Sequence, residues 1–307
     1  MRSAVNLALR TLAAASLCAL AACSSDTATG PGTTEAAAGC PAKPVDVVVS
    51  VDQWGDIVSE LGGACAKVTT LLASSSVDPH DYEPSPADAA TFQGAQLVVI
   101  NGGHYDEWAA KLAQGSAPEA SVVSAITGED RQNPHVWYDP ATVTSVADRV
   151  TGALQKLSPD AAGYFTERRA AFTKELEPYD ATIASIKANA MGRTYAATEG
   201  VFDYMATAVG LQDRTPSGYA AAARNDSDPS PADLDAFLKL LQAKGVSVLI
   251  YNTQTEGTVP EQLRAAAESA GIPVVDVTET VAPGAKSFEA WQVDQLSSLA
   301  KALGVNV

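Results

Sequence analysis

The chain has 307 residues, 46% of them hydrophobic, which is the composition of an ordinary globular protein. Its formal net charge is −16 at pH 7, with 36 acidic against 20 basic side chains. Binding of nucleic acid phosphates needs a basic face, so this charge excludes a nucleic acid partner. An acidic surface suits solubility and the attraction of cations.

The first 22 residues have the pattern of an export signal. Basic residues near the start precede an apolar run from Thr11 to Ala22, which is too short to span a bilayer as a mature helix. The end of this run, LAAC at residues 20–23, resembles the lipobox of bacterial lipoproteins, in which the cysteine becomes the lipidated N-terminus. We therefore expect residues 1–22 to be removed and Cys23 to anchor the protein on the extracytoplasmic face of the cell membrane. An ordinary secretory signal is the alternative.

The segment 23–40 is small and polar, with Gly and Pro, so it cannot bury a core and is expected to form a flexible tether. Of the four cysteines, Cys18 lies in the signal and Cys23 in the lipobox. Cys40 and Cys65 remain in an oxidising compartment, which favours a disulfide between them. Two buried free thiols are the alternative.

From residue 41 the sequence alternates between short β-rich runs and helical patterns. The β-rich runs of the first part are Val45–Val51, Lys67–Ala73, Gln96–Gly102 and Ser121–Ile126. Helical patterns lie between them, and the order βαβαβαβ is typical of a mostly parallel sheet with helices on its faces. Residues 41–139 are therefore predicted to form an N-terminal α/β lobe.

A long helical stretch follows over residues 140–191. Ser158-Pro159 has the pattern of a helix start, and Pro178 should kink or briefly interrupt the helix that contains it. Such a length is unusual for one helix of a globular domain, so it predicts a helical spine between two lobes.

The alternation of strands and helices returns over residues 192–307. The β-rich runs of this part are Thr194–Thr198, Val246–Thr253 and Ile272–Thr278. The predicted fold class is therefore α/β, with two lobes that each contain a mostly parallel sheet flanked by helices and that are joined by the spine. A cleft between two such lobes is a natural ligand site.

Four side chains of metal-binding type follow predicted strands at the same edge of the two sheets: His80, His135, Glu199 and Glu279. Ligands of parallel α/β sheets bind beyond the carboxyl ends of the strands. Taken singly, each residue has an ordinary explanation as a solvated histidine or a surface acid. Together, two imidazoles and two carboxylates predict a site for a first-row transition metal in the cleft between the lobes.

Several motifs resemble those of the substrate-binding lipoproteins of zinc/manganese ABC uptake systems, the cluster 9 metal-binding solute-binding proteins. They are VDPHDYEPSPADAA, LVVINGGHYDEWAAKL, NPHVWYDP, and TEGVFDYMATAVGL with SDPSPADL downstream. The resemblance covers nearly the whole mature chain. It implies that His80 and His135 are metal ligands and that Glu199 is the third, at a position where many zinc carriers have His and manganese carriers have Glu.

The fourth ligand of that family is usually an Asp after the last strand, and Glu279 occupies this place. Asp276 is the rival, because it has the usual residue type. It lies inside the predicted strand, where side chains alternate, so it should point to the face opposite Glu279. We therefore favour Glu279.

Other polar residues near the predicted site are interpreted with less specific roles. Asp78, Asp81 and Glu83 are candidates to hydrogen-bond the second ring nitrogen of His80, which would set its tautomer. His104 is interpreted as a residue of the cleft edge or the surface, since the chain lacks the His-rich acidic loop of many zinc carriers.

The resemblance implies an extracytoplasmic solute-binding component of an ABC transporter, which captures one divalent transition metal ion, Mn2+ or Zn2+. Its implied partners are a membrane permease and the ATPase of that permease, and we expect a lipid-anchored monomer that is not an enzyme. Glu199 and the missing His-rich loop favour manganese, whereas the Irving–Williams order gives zinc the tighter intrinsic binding.

Two other classes of function remain as alternatives. A zinc-dependent hydrolase would need an open coordination position and a general base, and the sequence has no HExxH pattern. An adhesin or structural surface lipoprotein would not need four ligand-type residues at four strand ends.

Overall fold

The computed structural model describes residues 39–73, 82–128, 133–225, 227–255 and 257–307. Within these ranges the strands are β1 (Val45–Val51), β2 (Ala66–Leu72), β3 (Leu97–Ile100), β4 (Ser121–Ser124), β5 (Thr194–Ala197), β6 (Gln212–Asp213), β7 (Val248–Asn252) and β8 (Val274–Val277). The α-helices of the first half are α1 (Asp52–Gly62), α2 (Pro86–Phe92), α3 (Glu107–Ser116), α4 (Pro140–Leu157) and α5 (Ala162–Glu175). Those of the second half are α6 (Glu177–Ala190), α7 (Asp203–Ala208), α8 (Ser217–Ala223), α9 (Pro231–Gln242), α10 (Thr258–Ala270) and α11 (Phe288–Ala302).

The strands form two parallel sheets of four strands each, with the orders β2-β1-β3-β4 and β6-β5-β7-β8. Both sheets therefore have the same topology, and the strand order reverses between β1 and β3 in one sheet and between β5 and β7 in the other. Ligands of open α/β sheets bind at such a switch point, beyond the carboxyl ends of the strands. The two sheets confirm the predicted α/β fold class.

Alternate side chains of the strands pack against helices on both faces of each sheet. In the first sheet, Val47 and Val49 belong to the main core with α1 and α4, whereas Val48 packs with Phe92 of α2 and Trp108 of α3. The second sheet repeats this division between the main core and a smaller cluster under α8, α9 and α10. Burial on both faces explains why the strands are rich in Val and Ile.

The predicted helical stretch consists of α4, α5 and α6. Ser158 ends α4, and a short 3-10 turn that begins at Pro159 leads into α5. The break between α5 and α6 lies at Leu176, two residues before Pro178, because a proline has no N–H to donate and its ring crowds the preceding turn. Since α4 packs back on α5, whereas α6 packs on α11, the connection between the two sheets is made by α5 and α6.

A disulfide joins Cys40 to Cys65, with 5.1 Å between the two Cα atoms. It connects the start of the described chain to the short turn that follows α1. None of the helices in the described ranges is long and apolar enough to span a membrane. The predicted export signal and Cys23 lie outside the described residues.

Candidate metal centre

Three of the four predicted ligand residues meet at the facing edges of the two sheets: His135, Glu199 and Glu279. One ligand atom of each lies within 4.8 Å of the others. His135 Nε2 is 3.9 Å from Glu199 Oε1 and 3.5 Å from Glu279 Oε2. His135 and Glu279 are each only 5% exposed, and Glu199 is partly buried.

The chain topology explains this meeting. Glu199 follows β5 by two residues and Glu279 follows β8 by two residues, so both lie at the carboxyl edge of the second sheet. His135 comes from the connection between β4 and α4, where it precedes a short 3-10 turn at Val136. The cluster therefore combines side chains from both lobes.

The fourth predicted ligand, His80, lies outside the described residues, as do Asp78 and Asp81. Glu83 is exposed, so it is not part of the buried cluster.

Two further candidates lie away from the cluster. Asp276 is half exposed, and its Oδ1 accepts a hydrogen bond from Arg264 Nη1 at 2.6 Å. His104 is exposed and contacts Glu107 of α3. The structure thus brings Glu279, not Asp276, to His135.

Asn133 orients the imidazole of His135. The backbone N–H of His135 donates to Asn133 Oδ1 at 3.0 Å, which identifies that atom as an acceptor, and His135 Nδ1 lies 2.8 Å from the same oxygen. Nδ1 therefore carries a ring proton, and Nε2 is the ring nitrogen that faces the two glutamates and would bind a cation. Asn133 Nδ2 also donates to the carbonyl of Gly200 at 2.7 Å, so this residue links the NPH motif to the second lobe.

Sequence reasoning missed the residues that position the glutamates. Asn252 donates from Nδ2 to Glu199 Oε2 at 2.8 Å and to Glu279 Oε1 at 3.0 Å. Tyr105 donates to Glu279 Oε2 at 3.2 Å, and Thr255 donates to Glu199 Oε2. The one available signal was the place of Asn252 at the carboxyl end of a predicted central strand.

The charges of the cluster depend on each other. Burial lowers the pKa of His135, but the hydrogen bond and charge of Glu279 and the charges of Glu199 and Asp203 outweigh this, and the net pKa is raised. Burial and the charge of Glu279 raise the pKa of Glu199, against the lowering effects of His135, Thr255 and Asn252. Two buried carboxylates are costly without a compensating positive charge, and a divalent cation would supply one.

Two parallel α/β sheets joined by helices, with a cluster of His and Glu side chains at their facing edges, define the class of two-lobed solute-binding proteins. The chain belongs to the family described as zinc-uptake complex component A, periplasmic (ZnuA), whose model matches residues 47–302. The family is one of transport binding proteins and not of enzymes.

Among curated proteins, the high-affinity zinc uptake system protein ZnuA of Bacillus subtilis (strain 168) is 25% identical over 216 residues, covering 63% of this chain and 66% of that protein. The chain spans 42 to 66% of the length of the first curated relatives it matches.

Solved structures show the same fold. The periplasmic zinc binding protein TroA from Treponema pallidum has a TM-score of 0.69 at 21% identity, over 85% of this chain and 99% of that one. The solute-binding protein FpvC from Pseudomonas aeruginosa, in complex with Mn2+, has a TM-score of 0.69 at 22% identity, over 85% and 99% of the two chains.

Proposed function

We propose that this protein is the extracytoplasmic solute-binding component of an ABC uptake system and that its cargo is one divalent transition metal ion, Zn2+ or Mn2+. The observation that carries the proposal is the buried meeting of His135, Glu199 and Glu279 at the carboxyl edges of strands from two sheets. Membership of the zinc-uptake family and the likeness to a manganese-bound carrier support it.

The donor set suits such a cargo. One imidazole nitrogen and two carboxylate oxygens are ligands for zinc or manganese, and the two negative charges match a dication. His80 is proposed as the fourth ligand from its place in the HDYEP motif. Cys40 and Cys65 are joined to each other, so neither offers a thiolate to a softer metal.

Capture and delivery follow from the division of the ligands between the lobes. A bound ion would be held by His135 from the first lobe and by Glu199 and Glu279 from the second, so loading joins the two. We propose that the loaded protein then docks as a monomer on a membrane permease, whose ATPase drives uptake. A lipid on Cys23 would keep the carrier near that permease.

Calorimetric titration of His135→Ala with Zn2+ and Mn2+ tests the proposal. Loss of the buried imidazole should weaken the binding of both ions by at least about 100-fold, because one of the few protein ligands is removed. His104→Ala is the matched control, since His104 is exposed and its imidazole pairs with Glu107 of α3, outside the cluster. Wild-type affinity in His135→Ala would overturn the site and the function with it.

A further inference from the structure

Asn252 is held in one orientation at the switch point of the second sheet. It is the last residue of β7 and is only 1% exposed. Its backbone N–H donates to Thr198 Oγ1 at 3.2 Å, and its side-chain Oδ1 accepts the backbone N–H of Gln254 at 3.1 Å. Because Oδ1 is the acceptor for this N–H, the amide nitrogen must face the metal centre.

Both hydrogens of that nitrogen are used on the two glutamates. Nδ2 of Asn252 donates to Glu199 Oε2 at 2.8 Å and to Glu279 Oε1 at 3.0 Å. The other oxygen of each carboxylate, Glu199 Oε1 or Glu279 Oε2, is the one that lies near His135 Nε2. In each carboxylate, one oxygen therefore accepts a hydrogen bond from Asn252 and the other oxygen lies toward the imidazole. We call this the division of the carboxylate oxygens.

Further donors are compatible with this division. Thr255 donates to the same oxygen of Glu199 as Asn252 does, which strengthens the hold on that oxygen. Tyr105 donates to Glu279 Oε2, the oxygen nearer to His135. A carboxylate oxygen accepts at more than one position, so Oε2 of Glu279 can take this hydrogen bond and still face a cation.

The division restricts how the carboxylates can coordinate an ion. Zinc sites in proteins are mostly four-coordinate, with one oxygen from each carboxylate, whereas manganese takes more oxygen ligands. Oε2 of Glu199 already accepts two hydrogen bonds, from Asn252 and from Thr255, so Glu199 can bind an ion through both oxygens only if one of these hydrogen bonds is broken. A buried donor would then lose its acceptor, which opposes the larger coordination shell.

We propose that Asn252 is a specificity-determining residue for the cargo, which favours Zn2+ over Mn2+ by holding Glu199 in a one-oxygen mode of coordination. The inference rests on the proposed function, because it assigns a metal preference to that same site.

The variants Asn252→Leu and Asn252→Ser test this inference. Leucine has nearly the same volume and no donor, so Oε2 of Glu199 would keep only the hydrogen bond from Thr255 and Glu199 should be able to bind an ion through both oxygens. The ratio of the dissociation constants for Mn2+ and Zn2+, measured by competition titration, should fall by about tenfold or more. X-ray absorption at the zinc edge should give four ligands in the wild type and a higher number in Asn252→Leu.

Asn252→Ser should shift the ratio in the same direction by a smaller factor, because its hydroxyl can still donate to one glutamate. If circular dichroism shows that Asn252→Leu is unfolded, the ratio measured for Asn252→Ser tests the role of Asn252 in metal preference. Asn189→Leu is the matched control, since Asn189 is exposed on α6 and its side chain donates to the carbonyl of Ser185, away from the metal centre. This control should leave the ratio and the ligand number unchanged.

Equal weakening of both ions by Asn252→Leu, with four zinc ligands retained, would show a merely structural residue and overturn the inference while the proposed function stands. A wild type that binds manganese more tightly than zinc would overturn it as well. A wild type that binds neither ion would overturn the proposed function itself.

Discussion

Asp56 accepts a hydrogen bond from the backbone N–H of Phe288, so a side chain of α1 in the first lobe caps the start of α11 in the second. One turn earlier on α1, Asp52 accepts the backbone N–H of Val281 at 3.4 Å, two residues after Glu279. A carboxylate at a helix N-terminus is favourable because it faces the unpaired N–H groups of the first turn. The loop that carries Glu279 is therefore held at two points after Glu279 by acids of the other lobe.

The contact between α1 and α11 also brings like charges together. Carboxylate oxygens of Asp56, Glu60 and Glu289 lie within 4.8 Å of one another. Burial raises the pKa of Glu60 to about 7, with further contributions from the charges of Glu289, Asp56 and Glu175, and Arg168 opposes the rise. Burial likewise raises the pKa of Asp52 to about 6.

A carboxyl with a higher pKa in the folded state than in the unfolded state binds its proton more tightly when folded. Its stabilising effect is full below the unfolded pKa, which is 4.5 for Glu60, and is lost as the pH rises through about 7. We expect Glu60→Gln to raise the free energy of unfolding on the order of 1 kcal/mol at about pH 8, after solvent screening, and to change it little at about pH 4.

Urea unfolding at the two pH values measures this difference. Glu167→Gln serves as the control, because Glu167 is exposed on α5. An equal effect of Glu60→Gln at both pH values would contradict the proposed linkage.

Glu279→Gln should weaken metal binding, and more for Mn2+ than for Zn2+. The variant keeps the size of the side chain and removes one of the two negative charges, and manganese depends more than zinc on oxygen ligands. Asp276→Asn should leave the affinity for both ions unchanged, because Asp276 is half exposed and binds Arg264. Parallel titrations of the two variants with both ions measure these effects. Loss of binding in Asp276→Asn alone would refute the assignment of Glu279 as the ligand.

Cys40 and Cys65 should be found in one cross-linked peptide of the exported protein under non-reducing conditions, by mass spectrometry. The bond closes a sequence separation of 25 residues, so the double variant Cys40→Ala/Cys65→Ala should lose roughly 3 kcal/mol of unfolding free energy. Detection of two free thiols in the exported protein would contradict this prediction.

Cys23→Ala should release the protein from membranes into a soluble fraction, because the proposed lipid would have no attachment site. Fractionation of cells that express the wild type and the variant measures the effect, with Cys18 left intact in both. A variant that stays in the membrane fraction would show that the LAAC motif does not direct lipidation.

The sequence was sufficient for the order of the elements because each sheet is built from short, continuous runs of apolar residues. β1 has its predicted bounds, Val45–Val51. The run at 121–126 was predicted two residues too long, since Ala125 and Ile126 are buried beyond the end of β4 and hydrophobicity alone does not mark where a ladder ends. The two residues of β6 give no periodic signal at all.

Only part of the candidate site was predictable from the sequence. His135, Glu199 and Glu279 stand out because ligand-type residues follow buried strands, and the edge rule places such positions together. Asn252, Tyr105 and Asn133 are ordinary polar residues in the sequence. Their roles depend on which strands are neighbours and on how the two lobes meet, and neither can be read from local pattern.

The main hydrophobic core is continuous across the two lobes, with Trp54 from the first and Phe202 and Trp291 from the second. A wide hinge rotation would expose this apolar surface to water, at about 25 cal/mol for each Å2. We therefore expect the ion to exchange through small displacements of the loops that contain His135 and Glu279, with the body of the protein left closed. We expect a permease to release the ion by displacing these loops, without rotating one lobe against the other.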